Sequence, residues 1–301
     1  MTMPNFLIIG AGKSGTTSLY HYLKQHPEVY MSPVKEPKFF AMEGKTLDFR
    51  GPNDEAHMNR KSITDIDTYR TLFRGVTEEK AIGEASPLYL YSQEAPGRIK
   101  HYIPHARLIA ILRNPVERAY SSFIQRIQKG DEPLEDFAQA LQEEENRIRK
   151  NWAPRWQVKQ IGFYYLHLKR YYDMFEPDQI KVFLYEDLKD DPVGVAQSAY
   201  RFLGVDDSYF PDISSVHNPS GIPKSKALQL FLSRPNPLKY ILKLVVPRGL
   251  RPHLTAYLEN RNIAGPPPLD QAVRKELMAS YREDILKLEK LIDRDLSEWL
   301  E

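Results

Sequence analysis

The chain has 301 residues, with 42 Lys and Arg against 40 Asp and Glu, a net charge of +2 and no cysteine. That balance removes the general electrostatic case for nucleic acid or an anionic membrane surface, and the missing cysteines exclude a disulfide framework and thiolate chemistry. No apolar run is long enough for a membrane span and no basic leader precedes the first apolar segment, so a cytoplasmic location without a signal peptide is expected.

The first element is the apolar run Phe6-Leu7-Ile8-Ile9, which ends at Gly10 and reads as a buried parallel strand. A helix is predicted over Thr16 to Gln25, ended by His26-Pro27, because the residue before proline avoids helical backbone. Val29-Tyr30-Met31 reads as a second strand, and residues 41–65, polar and turn-rich, as a surface excursion. Lys80 to Gly83 is a third strand leading into Glu84-Ala85-Ser86-Pro87, and Leu108 to Leu112 a fourth. Asn114 caps the next helix, with Pro115 at its first position and Glu117 placed for a capping box. Residues 131–150 read as an exposed helix, Tyr164 to Phe175 as an aromatic helix and Ile180 to Tyr185 as a fifth strand. A helix over Val193 to Leu203, an irregular proline-rich cap over residues 211–268 and an amphipathic helix over Asp270 to Ile292 complete the chain.

Strands alternating with helices predict an α/β fold, a mostly parallel sheet with helices on both faces. The expectation is a single domain over residues 1–301, with a core over about 4–210 and the cap and C-terminal helices over about 211–301. Ligands of such sheets bind past the carboxyl ends of the strands. There the sequence places Gly10 to Thr17, Glu36, Glu84, Arg113 and Glu186-Asp187, a composition suited to handling anions.

Gly10-Ala11-Gly12-Lys13-Ser14-Gly15-Thr16-Thr17 joins a strand to a helix, where backbone N–H groups and the helix N-terminus can converge on a phosphate. A nucleoside-triphosphatase loop carries lysine directly after its second glycine. Here Thr16 stands in that place and the lysine has moved back to Lys13, which suits a donor with one 5′-phosphate and one terminal group.

Lys13 to Leu19 resembles the 5′-phosphosulfate loop of sulfotransferases that use 3′-phosphoadenosine-5′-phosphosulfate (PAPS). Leu112-Arg113-Asn114-Pro115-Val116-Glu117-Arg118-Ala119-Tyr120-Ser121 resembles that family's 3′-phosphate motif. His26-Pro27 with Lys35-Glu36-Pro37-Lys38-Phe39-Phe40 resembles the branch that contains heparan sulfate sulfotransferases and bacterial relatives. Glu84 to Pro87, Tyr185 to Leu188 and Asp295 to Trp299 also have counterparts in bacterial members. Ala85 stands where heparan-type enzymes often carry lysine.

The resemblance implies a P-loop-like sulfotransferase fold and sulfuryl transfer from PAPS to a hydroxyl or amine, leaving adenosine 3′,5′-bisphosphate (PAP), with no metal. It implies that Lys13, Ser14, Gly15, Thr16, Thr17 and Ser18 hold the 5′ end of the donor and that Arg113 and Ser121 grip the 3′-phosphate. Lys224 and Lys226 would close over the cofactor. Glu36 would be the general base, with Glu84 the second candidate or an orienting group for Lys13 or Lys38. Lys13 would stabilise the leaving group, and Lys38 and Ser86 would face the acceptor, which could be a sugar, a lipid, a polyketide alcohol or a peptide. The rival readings are a phosphoryl-transferring kinase that uses Glu186-Asp187 for Mg²⁺, and a non-catalytic nucleotide- or polysaccharide-binding module.

Overall fold

The computed structural model describes residues 2–214, 222–223 and 263–301. Five strands, β1 (Phe6–Gly10), β2 (Val29–Met31), β3 (Ala81–Ala85), β4 (Arg107–Leu112) and β5 (Ile180–Leu184), form one sheet in the order β2-β3-β1-β4-β5. Every pairing in it is parallel. All five residues of β1 are buried, as expected for the central strand of a sheet covered on both faces.

The period of two along a strand divides the core. Phe6 and Ile8 of β1 pack with Ile109, Ile111 and Phe183 against α1 (Thr16–Lys24) and against the later pair Tyr185–Asp190 and Pro192–Leu203. Leu7 and Ile9 pack on the opposite face with Leu108, Ala110 and Leu112. That face is covered by α2 (Phe39–Met42), α3 (Ile66–Thr71), α4 (Ala95–Tyr102), α5 (Pro115–Lys129) and further helices. These are α6 (Phe137–Gln142), α7 (Glu144–Arg149), α8 (Tyr164–Tyr172) and α11 (Gln271–Ile292); the Tyr185–Asp190 and Pro192–Leu203 helices of the other face are α9 and α10. Gly83 is required by this packing: a Cβ there would lie 2.3 Å from the Phe6 ring.

Asn114 caps α5 as expected, its Oδ1 accepting from the Val116 and Glu117 N–H groups at 3.0 and 3.3 Å. Its Nδ2 also donates to the Trp299 carbonyl at 3.3 Å. Glu117 does not complete a capping box; its carboxylate faces Arg274 of α11 and lies 3.9 Å from Arg113.

Two segments expected at the surface are partly core. Within 41–65, Asp54 and Met58 are buried. The 131–150 segment is two short helices, α6 and α7, rather than one exposed helix, and Asp131, Glu132, Glu144 and Arg147 are buried. Arg155 reaches Asp54 at 2.9 Å and Asp131 at 3.0 Å, while Glu132 pairs with Arg147 and Arg126 at 2.5 and 3.4 Å. Trp156 lies among the three arginines and donates to Asp54 at 2.9 Å. Buried charges persist where each has a partner, and here every acid has one.

Candidate active site

The loop after β1 is held by β4, and the end of β1 by the turn that follows β3. Ala11 N–H donates to Ile111 O at 2.7 Å and Leu90 N–H to Ile9 O at 2.9 Å. Gly15 has φ 94°, and a Cβ there would lie 2.4 Å from Leu188 Cδ2, so only glycine fits. Helix α1 then starts at Thr16 with no side-chain cap and no acidic residue in its first turn. Its free N–H groups and positive dipole end are left for an anion.

Lys13 sits within this loop in left-handed backbone, φ 73°. Burial, then the charges of Lys129, Arg113, Arg126 and Lys35, push its ammonium down to about 8. The charges that dominate around Lys13 are all of its own sign, an arrangement that an anionic ligand relieves. Arg113 follows β4, stacks over the Tyr185 ring at 4.7 Å and lies 3.5 Å from the Lys13 carbonyl. Ser121 lies about two turns into α5 and is buried. Thr17 Oγ1 accepts from Lys35 Nζ at 2.6 Å, and Ser14 is fully buried beneath the loop. Asp187, a metal ligand in the kinase reading, is engaged elsewhere: it accepts from Arg294 at 2.8 and 3.1 Å and from Leu184 N–H at 2.9 Å.

The Glu36–Lys38 turn is laid on the carboxyl end of β3. Ser32 N–H donates to Gly83 O at 2.8 Å, Glu36 N–H to Ala85 O at 3.0 Å and Lys38 N–H to Ser86 Oγ at 3.0 Å. Glu36 and Lys38 both have left-handed φ, 59° and 61°. Among the described residues six non-glycine residues have positive φ; three are Asn or Asp, which tolerate it, and the others are Lys13, Glu36 and Lys38. Strained backbone at three proposed site residues is the pattern of a functional centre. The Glu36 carboxylate is 40 % exposed, 3.7 Å from Lys35 Nζ and 3.9 Å from Lys38 Nζ. Lys38 is buried, donates to the Glu36 carbonyl at 2.9 Å and is lowered in pKa by that burial.

Glu84 lies beneath this turn rather than facing an acceptor, and is fully buried. Its Oε1 accepts from Tyr89 Oη at 2.5 Å and Tyr69 Oη at 3.3 Å, and its Oε2 has no partner among the described residues. Burial pushes its carboxyl up to about 7 against the pull of those hydrogen bonds. Ser86 is fully buried as a brace for the Lys38 backbone. Phe39 stacks on Tyr69 at 4.4 Å and is core. Lys224 and Lys226 lie outside the described residues.

Two site residues were not anticipated. Lys35 ties the base segment to Thr17, and Lys129, at the end of α5, is the largest single charge acting on Lys13. Burial lowers the Lys129 ammonium, and Glu36 is among the charges acting on it.

Known proteins share the family and the fold of this chain. The family described as the sulfotransferase family matches residues 4–209. The crystal structure of a sulfotransferase from Alicyclobacillus acidocaldarius superposes with a TM-score of 0.79 at 34 % identity, covering 100 % of both chains. Bifunctional heparan sulfate N-deacetylase/N-sulfotransferase 4 of Mus musculus is 28 % identical over 99 % of this chain and 31 % of its own length. Heparan sulfate glucosamine 3-O-sulfotransferase 3A1 of Mus musculus is 29 % identical over 67 % of this chain and 46 % of its own. The chain therefore spans about a third to a half of the length of these curated relatives. With a family match over well more than half of its residues, on the fold of a sulfotransferase it resembles from end to end, the chain belongs to the sulfotransferase family.

Proposed function

We propose that the protein transfers a sulfuryl group from PAPS to a hydroxyl or amine acceptor. The observation that carries this reading is the excess of positive charge around Lys13, beside an uncapped helix N-terminus and within reach of Arg113. PAPS supplies the activated sulfuryl group; its two phosphate ends fit a site with cations at both the Lys13 and the Arg113–Ser121 positions. The Gly15–Ser18 backbone donates to the 5′-phosphate, and Arg113, whose planar fork meets two phosphate oxygens at once, holds the 3′-phosphate with Ser121.

Glu36 takes the acceptor's proton as the acceptor oxygen or nitrogen bonds to sulfur. Lys13 stabilises the negative charge left on the bridging oxygen as its bond to sulfur breaks and PAP departs with the electron pair. Glu36 suits the role because its carboxylate is accessible while its backbone is fixed by Ala85.

Calorimetric titration separates the donor classes: PAP should bind more tightly than adenosine 5′-monophosphate and than ATP with Mg²⁺. Tighter binding of Mg-ATP would overturn the reading. Transfer from radiolabelled PAPS then identifies the acceptor. The names of the relatives put amino-sugar glycans first in that screen, ahead of lipids, polyketide alcohols and peptides.

A further inference from the structure

Three charged side chains meet where the start of α5 faces α11. Arg113 follows β4, Glu117 stands four residues further on in the first turn of α5, and Arg274 reaches across from the first turn of α11. The two ends of the carboxylate are used differently. Arg274 Nη2 donates to Glu117 Oε1, whereas Oε2 stands 3.9 Å from Arg113 Nη2, beyond hydrogen-bond distance. The Arg113 guanidinium is held instead over the Tyr185 ring at 4.7 Å and 3.5 Å from the Lys13 carbonyl, contacts that place it without neutralising it. Helix α11 does not need Arg274 to stay docked. Its Leu277, Tyr281, Ile285 and Leu288 are buried, and Tyr281 Oη donates to the Lys159 carbonyl at 2.9 Å. Just before the helix, the Pro267 carbonyl accepts from Tyr120 of α5 at 2.8 Å.

We propose that Arg274 is a positioning residue for recognition of the 3′-phosphate: it takes up the Glu117 carboxylate and so leaves the Arg113 fork open to the ligand. An acid four residues after an arginine on one helix is that arginine's natural partner. Without Arg274 the nearest cation for Glu117 is Arg113, and a guanidinium closed on its own carboxylate must be released before it can meet a phosphate. With Arg274 present the three groups keep one net positive charge beside the site. The residue lies outside residues 4–209, the part of the chain that the sulfotransferase family matches, so discrimination of the donor draws on a helix beyond that match. This inference rests on the reading that Arg113 meets the 3′-phosphate.

The test is calorimetric titration of PAP and of adenosine 5′-monophosphate, which lacks the 3′-phosphate, into the wild type, Arg274→Gln, Glu117→Gln and the double variant. Arg274→Gln should weaken PAP binding about three- to fivefold, the scale of a part-exposed ion pair, and leave adenosine 5′-monophosphate unchanged. Glu117→Gln removes the rival for Arg113, so PAP affinity should hold there, and adding Arg274→Gln to it should change PAP binding by less than about twofold. A helix that had merely come loose would not be repaired by removing Glu117. Unaltered PAP binding in Arg274→Gln, an equal loss for both nucleotides, or the same loss with and without Glu117 overturns the proposal. If Arg274→Gln fails to fold, Glu117→Gln decides alone: a loss of PAP affinity there makes Glu117 a support of Arg113 rather than its rival, and overturns it too. Arg113→Ala separates the premise. Equal losses of both nucleotides in Arg113→Ala remove the 3′-phosphate assignment and this proposal together; a loss confined to PAP, with Arg274→Gln unaffected, defeats only the role of Arg274.

Discussion

The half of the site around Lys13 and the half around Glu36 both use left-handed backbone, but their charges are balanced in opposite ways. Around Lys13 the cations Lys129, Arg113, Arg126 and Lys35 accumulate and burial depresses the ammonium. Around Glu36 two ammonium groups, Lys35 and Lys38, flank the carboxylate, and Glu84 is buried beneath the turn against the Tyr89 and Tyr69 hydroxyls. In the proposed function the first half receives the anionic donor. The second half, with the Glu36 carboxylate flanked by two ammonium groups, is proposed to move the proton. The donor half should therefore govern affinity, and the base half should govern rate.

The largest expected effect sharpens that division. Glu36→Gln should reduce turnover on an aliphatic alcohol by roughly 10²–10⁴-fold while leaving PAP affinity nearly unchanged, read by steady-state kinetics and calorimetry on one preparation. An acidic phenol, which loses its proton unaided, should depend less on Glu36. Lys13→Ala should lower affinity and turnover together, because it meets the 5′-phosphate before the reaction and the bridging oxygen during it.

A smaller effect tests the far end of the donor half. Arg113→Ala should weaken PAP binding by about 1.5–3 kcal/mol, the scale of a hydrogen bond to a charged group. Binding of adenosine 5′-monophosphate should hardly change. Equal losses for both nucleotides would place Arg113 away from the 3′-phosphate.

The pH dependence of donor binding is gentler still. The free Lys13 ammonium is held at about 8 and the anion binds its charged form. PAP affinity should be flat below that pH and fall by up to about tenfold per unit above it. Lys13→Met should bind weakly with no such slope. Smallest of all is the expected effect of a chelator. In the proposed function Lys13, Arg113 and backbone donors meet the donor's charge, so EDTA should leave transfer unchanged; loss of activity restored by Mg²⁺ would return the kinase reading.

The residues proposed for the donor half can be read from the sequence because they are neighbours in the chain. Gly15 and Lys13 can be read from one loop, and Arg113 and Ser121 from one helix start. The base half was legible only in Glu36. Its support depends on Glu84 lying under the turn, capped by tyrosines from α3 and from the turn after β3, and no spacing within one segment announces that. The polar segments 41–65 and 131–150 misled for a related reason. Composition cannot distinguish a solvated acid from one buried against arginine, so Asp54, Asp131 and Glu132 read as surface until Arg126, Arg147 and Arg155 are seen beside them.

Asn114 caps the helix that carries Ser121 and also binds the carbonyl of Trp299, 185 residues later in the chain. During synthesis the phosphate loop and Arg113 emerge early, but this clasp on α5 cannot close until residue 299 has left the ribosome. The sheet can form while translation continues, since domains begin to fold as they emerge. The helix start beside Arg113, which leads on to Ser121, gains its last support only after that point. A nascent chain stalled shortly before Trp299 would carry Lys13, Arg113 and Ser121, with the cap of α5 still missing its partner.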